Sequence, residues 1–393
     1  MKKKQADTPK RILFVVPRPT RGGATQVLLN LLEQVSSPKT IIPFAIYNDS
    51  SVLNDALSQL VEKSFASTLD KRSRMRNALI KLSTFTYHFL KRKYCKWVCD
   101  RVKPDVIYIN TVNDTPHARQ AIQMQLPIIV HAHEMDFLVT LRIKESWIQQ
   151  LAAKASAWIV CSKAVGEFYN TTYGVPFEKI KLLHGPASLA RTISTQQGYY
   201  RAALNCPPQC LVVGVSASFT YLKGADTFIK AIILAKQAAT IPVRFAWLGL
   251  DTSAQETTFY KSMKELITQN GLQHELSILP STSTVGDFYI DIDVFVLPSR
   301  TEAFPLSILE AMLYAKPIVA MDVGGIREVV DETTGYLVKD RTAEGLAAGI
   351  LYMLESEERR REAGRRGRER VLEQFEAEVQ AKKWIQILEE VSQ

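Results

Sequence analysis

Along almost its whole length the chain alternates short, continuously apolar runs with stretches of helical spacing, and that alternation restricts the fold more than any other feature. Residues 11–17 (RILFVVP) form the first run, followed by a glycine-containing loop and helical spacing over residues 27–35. Runs at 41–47, 106–109, 128–131 and 158–161 repeat the pattern. A strand apolar at every position is buried on both faces, which is the condition of a parallel sheet covered by helices on each side. Strands and helices taken in turn therefore predict a doubly wound α/β architecture. The pattern fades over residues 185–209, rich in Ser, Thr, Gln and Pro, and resumes at 211–215, 243–248, 276–279, 294–297 and 318–321. Two α/β domains follow, residues 1–190 and 210–370, with an interdomain linker at 191–209. The closing segment, 371–393, carries Phe375, Trp384, Ile385 and Leu388 and is expected to be a helix that crosses back to the first domain. Length agrees with this division, because 393 residues exceed what one hydrophobic core usually supports.

A hydrophobic content of 46% beside 23% charged residues is that of a globular chain, and the net charge of +9 is localised. Residues 71–103 hold eleven Lys or Arg and a single acid, Asp100, so the remainder is close to neutral. The chain shows no zinc finger, basic zipper or RNP-type strand, so no nucleic-acid partner is expected. Leu79, Leu82, Leu90, Tyr94 and Trp97 recur mostly at intervals of three, four or eight, giving an apolar face with basic neighbours. That face reads as a solvated helix, as a docking surface for an anionic polymer, or as a helix lying on an anionic membrane with Lys91, Arg92 and Lys93 at the contact. No apolar stretch reaches the roughly eighteen residues of a membrane span, and MKKKQADTPK leads into no apolar signal region. A cytoplasmic chain, peripheral on the inner membrane face, is the expectation. Five cysteines (95, 99, 161, 206 and 210) argue against a disulfide framework. The pairs Cys95/Cys99 and Cys206/Cys210 lack further ligands at suitable spacing, so no metal site is expected.

In open α/β sheets ligands bind beyond the carboxyl ends of the strands, which directs attention to the loops there. Gly22 and Gly23 follow the first run, and paired glycines permit close approach of a ligand or serve a turn alone. In PIIVHAHEMDF, His131 and His133 stand on alternate positions beside Glu134, an arrangement suited to a metal or, with no other ligand near, to hydrogen bonding with a substrate. Lys223 and Gly224 precede a helix after residues 211–215, where an ammonium suits a diphosphate. Gly324 and Gly325 form a further glycine turn after residues 318–321, with Glu328 beyond it. The densest signal is residues 297–330, LPSRTEAFPLSILEAMLYAKPIVAMDVGGIREVV, where Glu302 and Glu310 stand eight positions apart around a loop that turns into a helix at Leu306. A helix start presents unpaired N–H groups to phosphate. A carboxylate beside it acts as a cap or dipole partner, or accepts hydrogen bonds from sugar hydroxyls. Phosphate and hydroxyl recognition in one loop point to a nucleotide-activated sugar.

In this order and spacing the residues resemble the family-four retaining glycosyltransferases, also called glycosyl transferases group 1, which have the GT-B fold. The likeness runs from RILFVVP to the C-terminal helices. Its most specific part is residues 297–330, which look like the family's E-x7-E motif with its following glycine pair. KPDVIYIN, PIIVHAHEMDF, IVCSKAV, the Lys223-Gly224 loop and RFAWLGL match weaker family strings. The resemblance implies two Rossmann-like domains facing each other across a cleft. It implies transfer of a sugar, with retention and without a metal or other cofactor, from a UDP- or GDP-linked donor bound mainly by the second domain. The acceptor implied is a glycan or lipid-linked glycan in cell-surface polysaccharide biosynthesis. Carried over residue by residue, His133, Lys223 and Glu302 are the implied catalytic residues: His133 near the anomeric carbon, Lys223 on the diphosphate, Glu302 on sugar hydroxyls. The implied donor-binding set is Gly22, Gly23, Ser218, Lys223, Glu302, Ala303, Phe304, Pro305, Leu306 and Glu310, with Glu310 on the ribose and the backbone around Phe304 and Leu306 on phosphate and sugar.

Two positions depart from the family pattern. Ser218 stands where the family has an Arg five residues before the loop Lys, and Arg18, Arg21 or Arg300 is the expected replacement for that charge. Leu279-Pro280 stands where a glycine commonly follows the strand, which leaves base recognition open. Ser218 also keeps a non-catalytic scaffold or binding subunit of the same fold as an alternative, and another GT-B enzyme, such as a nucleotide-sugar epimerase, is a third reading.

Overall fold

The computed structural model describes residues 9–16, 23–35, 41–47, 54–66, 84–135, 137–187, 196–251, 254–255 and 257–392. The chain divides into two units, Met1–Pro186 with Ala377–Gln393, and Ala187–Glu376.

The first unit is built on strands β1 (Lys10–Val16), β2 (Ile41–Tyr47), β3 (Lys63–Ala66), β4 (Val106–Asn110), β5 (Ile128–Ala132), β6 (Ala157–Val160) and β7 (Ile180–Leu182), in the order β3-β2-β1-β4-β5-β6-β7. Every pairing is parallel. The order reverses between β1 and β4, the switch point where such sheets bind ligands. Continuous apolarity has the predicted cause, since all of β4, β5 and β6 is buried. The final helix, Ala377–Val391, packs on helix Gly23–Gln34, and its Trp384 lies 5.9 Å from the rings of both Phe14 and Tyr108. Strands β3 and β7 escaped sequence reading because they are short edges with exposed or half-exposed residues.

The second unit holds β8 (Leu211–Ser216), β9 (Val243–Leu250), β10 (Leu276–Pro280), β11 (Val294–Leu297), β12 (Ile318–Met321) and β13 (Gly335–Val338), in the parallel order β10-β9-β8-β11-β12-β13. Its switch point lies between β8 and β11. Residues 196–209, expected as linker, instead belong to this unit. The amide of Gln196 donates to Asp287 at 2.8 Å, and those of Gly198 and Tyr200 donate to Asp291 at 2.6 and 2.7 Å. Both acids are buried on helix Val285–Asp291, and backbone N–H groups satisfy them there. The unit also extends past residue 370, through helix Glu357–Gln374 to Phe375, which packs against Phe304.

Among the described residues no helix is long and apolar enough to cross a membrane. In the basic segment, Leu79 and Leu82 and residues 71–83 as a whole lie outside the described residues. Helix Thr84–Val102 exposes Phe89, Leu90 and Trp97, each more than 40% accessible, beside exposed Lys93, Lys96 and Arg101. Lys91, placed at the membrane contact by sequence, is instead buried at 6% exposure, because it follows the helix turn toward Cys95 and Val98 on the packed face.

Candidate functional site

In the second unit three loops follow β8, β11 and β12 and are tied together by backbone bonds. The amide of Arg300 donates to the Leu222 carbonyl at 2.9 Å, and that of Gly325 donates to the Glu302 carbonyl at 3.1 Å. Gly224 has φ of 74°, and a Cβ there would stand 1.9 Å from the Pro298 carbonyl oxygen, so the β8 loop approaches the β11 loop only because this residue is glycine. That approach brings Lys223 to Glu302. The Lys223 ammonium donates to Glu302 Oε2 at 2.6 Å, and the Ser299 hydroxyl donates to the same oxygen at 3.3 Å. Ser218 is exposed on the β8 loop.

The β11 loop runs into helix Leu306–Leu313, which no side chain caps. Ala303 is half-buried, and Phe304 is buried with its ring on Phe375, so Phe304 can offer a ligand its backbone more readily than its ring. Pro305 lacks an N–H and takes φ of −90°, opening the turn into the helix at Leu306. Glu310, on that helix, accepts a hydrogen bond from the Tyr289 hydroxyl at 2.8 Å. Burial pushes its carboxyl up to about 7, and the Tyr289 hydrogen bond opposes that rise. Tyr289 is fully buried and was not singled out by sequence, since a Tyr among apolar helix residues looks like core.

Arg300, one of the residues expected to replace the missing cation, is already paired with a carboxylate. Its guanidinium makes a two-point pair with Asp226 at 2.8 and 2.7 Å, caps the Tyr221 carbonyl at 2.6 Å and lies 3.8 Å over the Tyr221 ring. With its charge met by Asp226, it latches the two loops. Arg18, Arg21 and Gly22 lie outside the described residues.

In the first unit Gly23 opens helix Gly23–Gln34 after the β1 loop. Across the switch point, at the end of β4, Asn110 donates from Nδ2 to the Ala24 carbonyl at 3.2 Å and presents Oδ1 to His133 Nε2 at 3.0 Å. Thr111, next in the chain, has φ of 120°, a strained backbone of the kind that collects at functional sites. Burial lowers His133 to about 3, so its imidazole is neutral at ordinary pH. His131 is not beyond the strand but inside β5 and wholly buried, with its Nδ1 2.6 Å from the Tyr108 hydroxyl. Glu134 is raised by burial, opposed by hydrogen bonds from Thr111 and backbone amides. Among the described residues no group of three or more His, Cys, Asp or Glu is placed to hold a metal ion.

Two parallel α/β units, each with polar residues gathered at its own switch point, are the architecture of the GT-B fold. The model for "Glycosyl transferases group 1" matches residues 199–370, and that for "Glycosyltransferase Family 4" matches residues 65–191, so that together they account for most of the chain. The chain belongs to this family. The lipopolysaccharide core biosynthesis mannosyltransferase LpsB of Rhizobium meliloti is 28% identical over 189 residues, 46% of this chain and 52% of the relative. Another mannosyltransferase of the same name class, LpcC of Rhizobium leguminosarum bv. viciae, is 26% identical over 246 residues, 60% of this chain and 66% of the relative. The chain spans about half the length of the first curated relatives it matches. Among solved structures, Anabaena HepE in complex with UDP and glucose superposes with a TM-score of 0.77 at 20% identity, covering 97% of this chain and 100% of that one, a likeness of fold.

Proposed function

We propose that the protein is a retaining, metal-independent glycosyltransferase that moves a sugar from a nucleoside diphosphate donor to a glycan or lipid-linked glycan in cell-surface polysaccharide biosynthesis. The observation that carries this reading is the convergence of Lys223 and Glu302 at 2.6 Å beside the start of helix Leu306–Leu313, which no side chain caps. On this reading the diphosphate takes the ammonium and the helix amides, sugar hydroxyls take Glu302, and the ribose takes Glu310. The acceptor oxygen bonds to the anomeric carbon on the face the diphosphate leaves. The bonding pair of the broken C–O bond passes to the leaving phosphate oxygen, which takes up the acceptor's proton. Lys223 stabilises the negative charge that grows there, the task a divalent ion performs elsewhere. The mannosyltransferase relatives support a hexose donor.

The test is release or transfer of sugar from a panel of UDP- and GDP-sugars, first screened by thermal shift, since a ligand of the folded state raises its stability. Loss of turnover in folded Glu302→Ala and Lys223→Ala proteins is expected, and undiminished turnover in both overturns the proposal. A non-catalytic binding subunit is the second reading, favoured by exposed Ser218 in the place of a cation. Nucleotide binding without sugar release would establish it.

The acceptor's membrane is met, on this reading, by the exposed face of helix Thr84–Val102. Phe89, Leu90 and Trp97 insert while Lys93, Lys96 and Arg101 meet anionic headgroups. Sedimentation with phosphatidylglycerol vesicles should fall when Lys93, Lys96 and Arg101 become Gln, and fall with added salt. Binding indifferent to lipid charge and to these changes removes this part.

A further inference from the structure

We propose that Asn110 is a positioning residue for His133, holding its neutral imidazole as the tautomer with hydrogen on Nε2 and so making Nδ1 the ring's acceptor. The Ala24 carbonyl can only accept. The amide end of Asn110 that lies 3.2 Å from it is therefore the NH2. The other end, facing His133 Nε2 at 3.0 Å, is then the oxygen, which can only accept. Nε2 must carry hydrogen for that contact to be a hydrogen bond. Turning the amide over would set two acceptors against each other at Ala24.

Burial at this point disfavours the imidazolium, leaving the Nε2–H tautomer. Two titratable neighbours face it: His131, tilted by 38° with ring centroids 3.8 Å apart, and Glu134, which accepts the His133 backbone N–H at 3.2 Å. Behind them, Tyr108 contacts His131, and Tyr169 lies near Glu134. Asn110 is well placed to hold the ring rather than merely touch it. It ends β4, and its Nδ2 bond reaches the first turn of helix Gly23–Gln34, spanning the β1/β4 switch point. Ring nitrogens have the roles their partners impose, so His133 is set to receive a hydroxyl hydrogen at Nδ1 and not to donate to a substrate oxygen. This deepens the proposed sugar-transfer reading, whose hydroxyl-bearing ligands supply the hydrogen that Nδ1 accepts.

Nitrogen-15 spectra of the ring in the full chain test the tautomer without any substrate. Wild-type His133 should show a protonated Nε2 and an unprotonated Nδ1, the latter shifting when a hydroxyl ligand binds. Asn110→Ala should mix the two tautomers, and Asn110→Asp should raise the pH at which His133 charges, because a carboxylate replaces the amide oxygen. A hydrogen on Nδ1 in the wild type, or spectra unmoved by both substitutions in folded protein, overturns the proposal. Where sugar transfer is observed, Asn110→Ala should lower kcat about ten- to a hundredfold with KM little changed, the scale on which an outer partner supports a functional histidine. A wild type with the proposed tautomer but no transfer refutes the functional reading and leaves this one standing.

Discussion

Lys223 and Glu302, 79 positions apart in the chain, are joined by a 2.6 Å ion pair before any ligand arrives. Their side chains are 30% and 14% exposed, so the pair is partly shielded from water, and a donor that engages either partner competes with it. The two substitutions should therefore part company. Lys223→Ala is expected to weaken binding of a nucleoside diphosphate about ten- to a hundredfold, the range for losing a charged hydrogen bond. Glu302→Ala should leave that affinity equal or tighter, since the ammonium is released, while sugar transfer falls about a hundredfold or more. Isothermal titration beside a transfer assay separates these effects, and equal weakening by both variants contradicts the exchange.

Glu310 should make nucleotide binding depend on pH. Its carboxyl, raised by burial to about 7, loses its proton across neutrality and becomes the better acceptor for ribose hydroxyls. Affinity is expected to rise with pH through that value, and Glu310→Gln should flatten the part of the profile not due to the phosphate itself. Linkage has the opposite sign for the empty protein. A folded value above the ordinary 4.5 means that its stabilising contribution is present below 4.5 and is lost as pH rises toward about 7. Tyr289→Phe removes the hydrogen bond that restrains the shift, so the midpoint should move upward.

Arg300 and Asp226 should behave as one latch. Either single alanine substitution loosens the contact between the β8 and β11 loops, and the double variant should cost little more than each alone. Arg300→Lys should fail to restore activity, because a point charge cannot reproduce the two-point pair and the stacking on Tyr221. If Arg300 instead served the diphosphate directly, Asp226→Asn would leave activity near wild type while Arg300→Ala abolished it.

His117 should make the first unit sensitive to acid. It is wholly buried, and among the described residues neither ring nitrogen meets a hydrogen-bond partner. Burial, with Lys91 adding to it, lowers the ring to about 4. A folded value below the ordinary 6.5 contributes stability that is complete above 6.5 and is lost as pH falls toward 4. The slope approaches about 1.4 kcal/mol per pH unit for such a group. Thermal melts across this window should show a falling Tm, and His117→Leu should remove that share of the slope. It should do so without loss of stability at pH 7, since the unmet polar atoms disappear with it.

Much of this molecule was legible one residue after another. Parallel strands buried on both faces demand uninterrupted apolar runs, so β1, β4, β8, β11 and β12 announced themselves, and with them the loops that carry Lys223 and Glu302 and the helix that carries Glu310. The edge strands β3 and β7 did not, because an edge need not be apolar, and Tyr289 did not, because its hydroxyl among core residues has no local signature.

What the tertiary structure decided was partnership. Strand order sets β8 beside β11 and β1 beside β4, and from that placement follow the pairing of Lys223 with Glu302, the capture of Arg300 by Asp226 and the hold of Asn110 on His133. The same packing turned Lys91 inward and drew residues 196–201 onto Asp287 and Asp291. Hydrophobic periodicity acts along the chain and is written in it. A hydrogen bond or ion pair acts across a few ångströms of space, and which groups share that space is settled only once the sheets have closed.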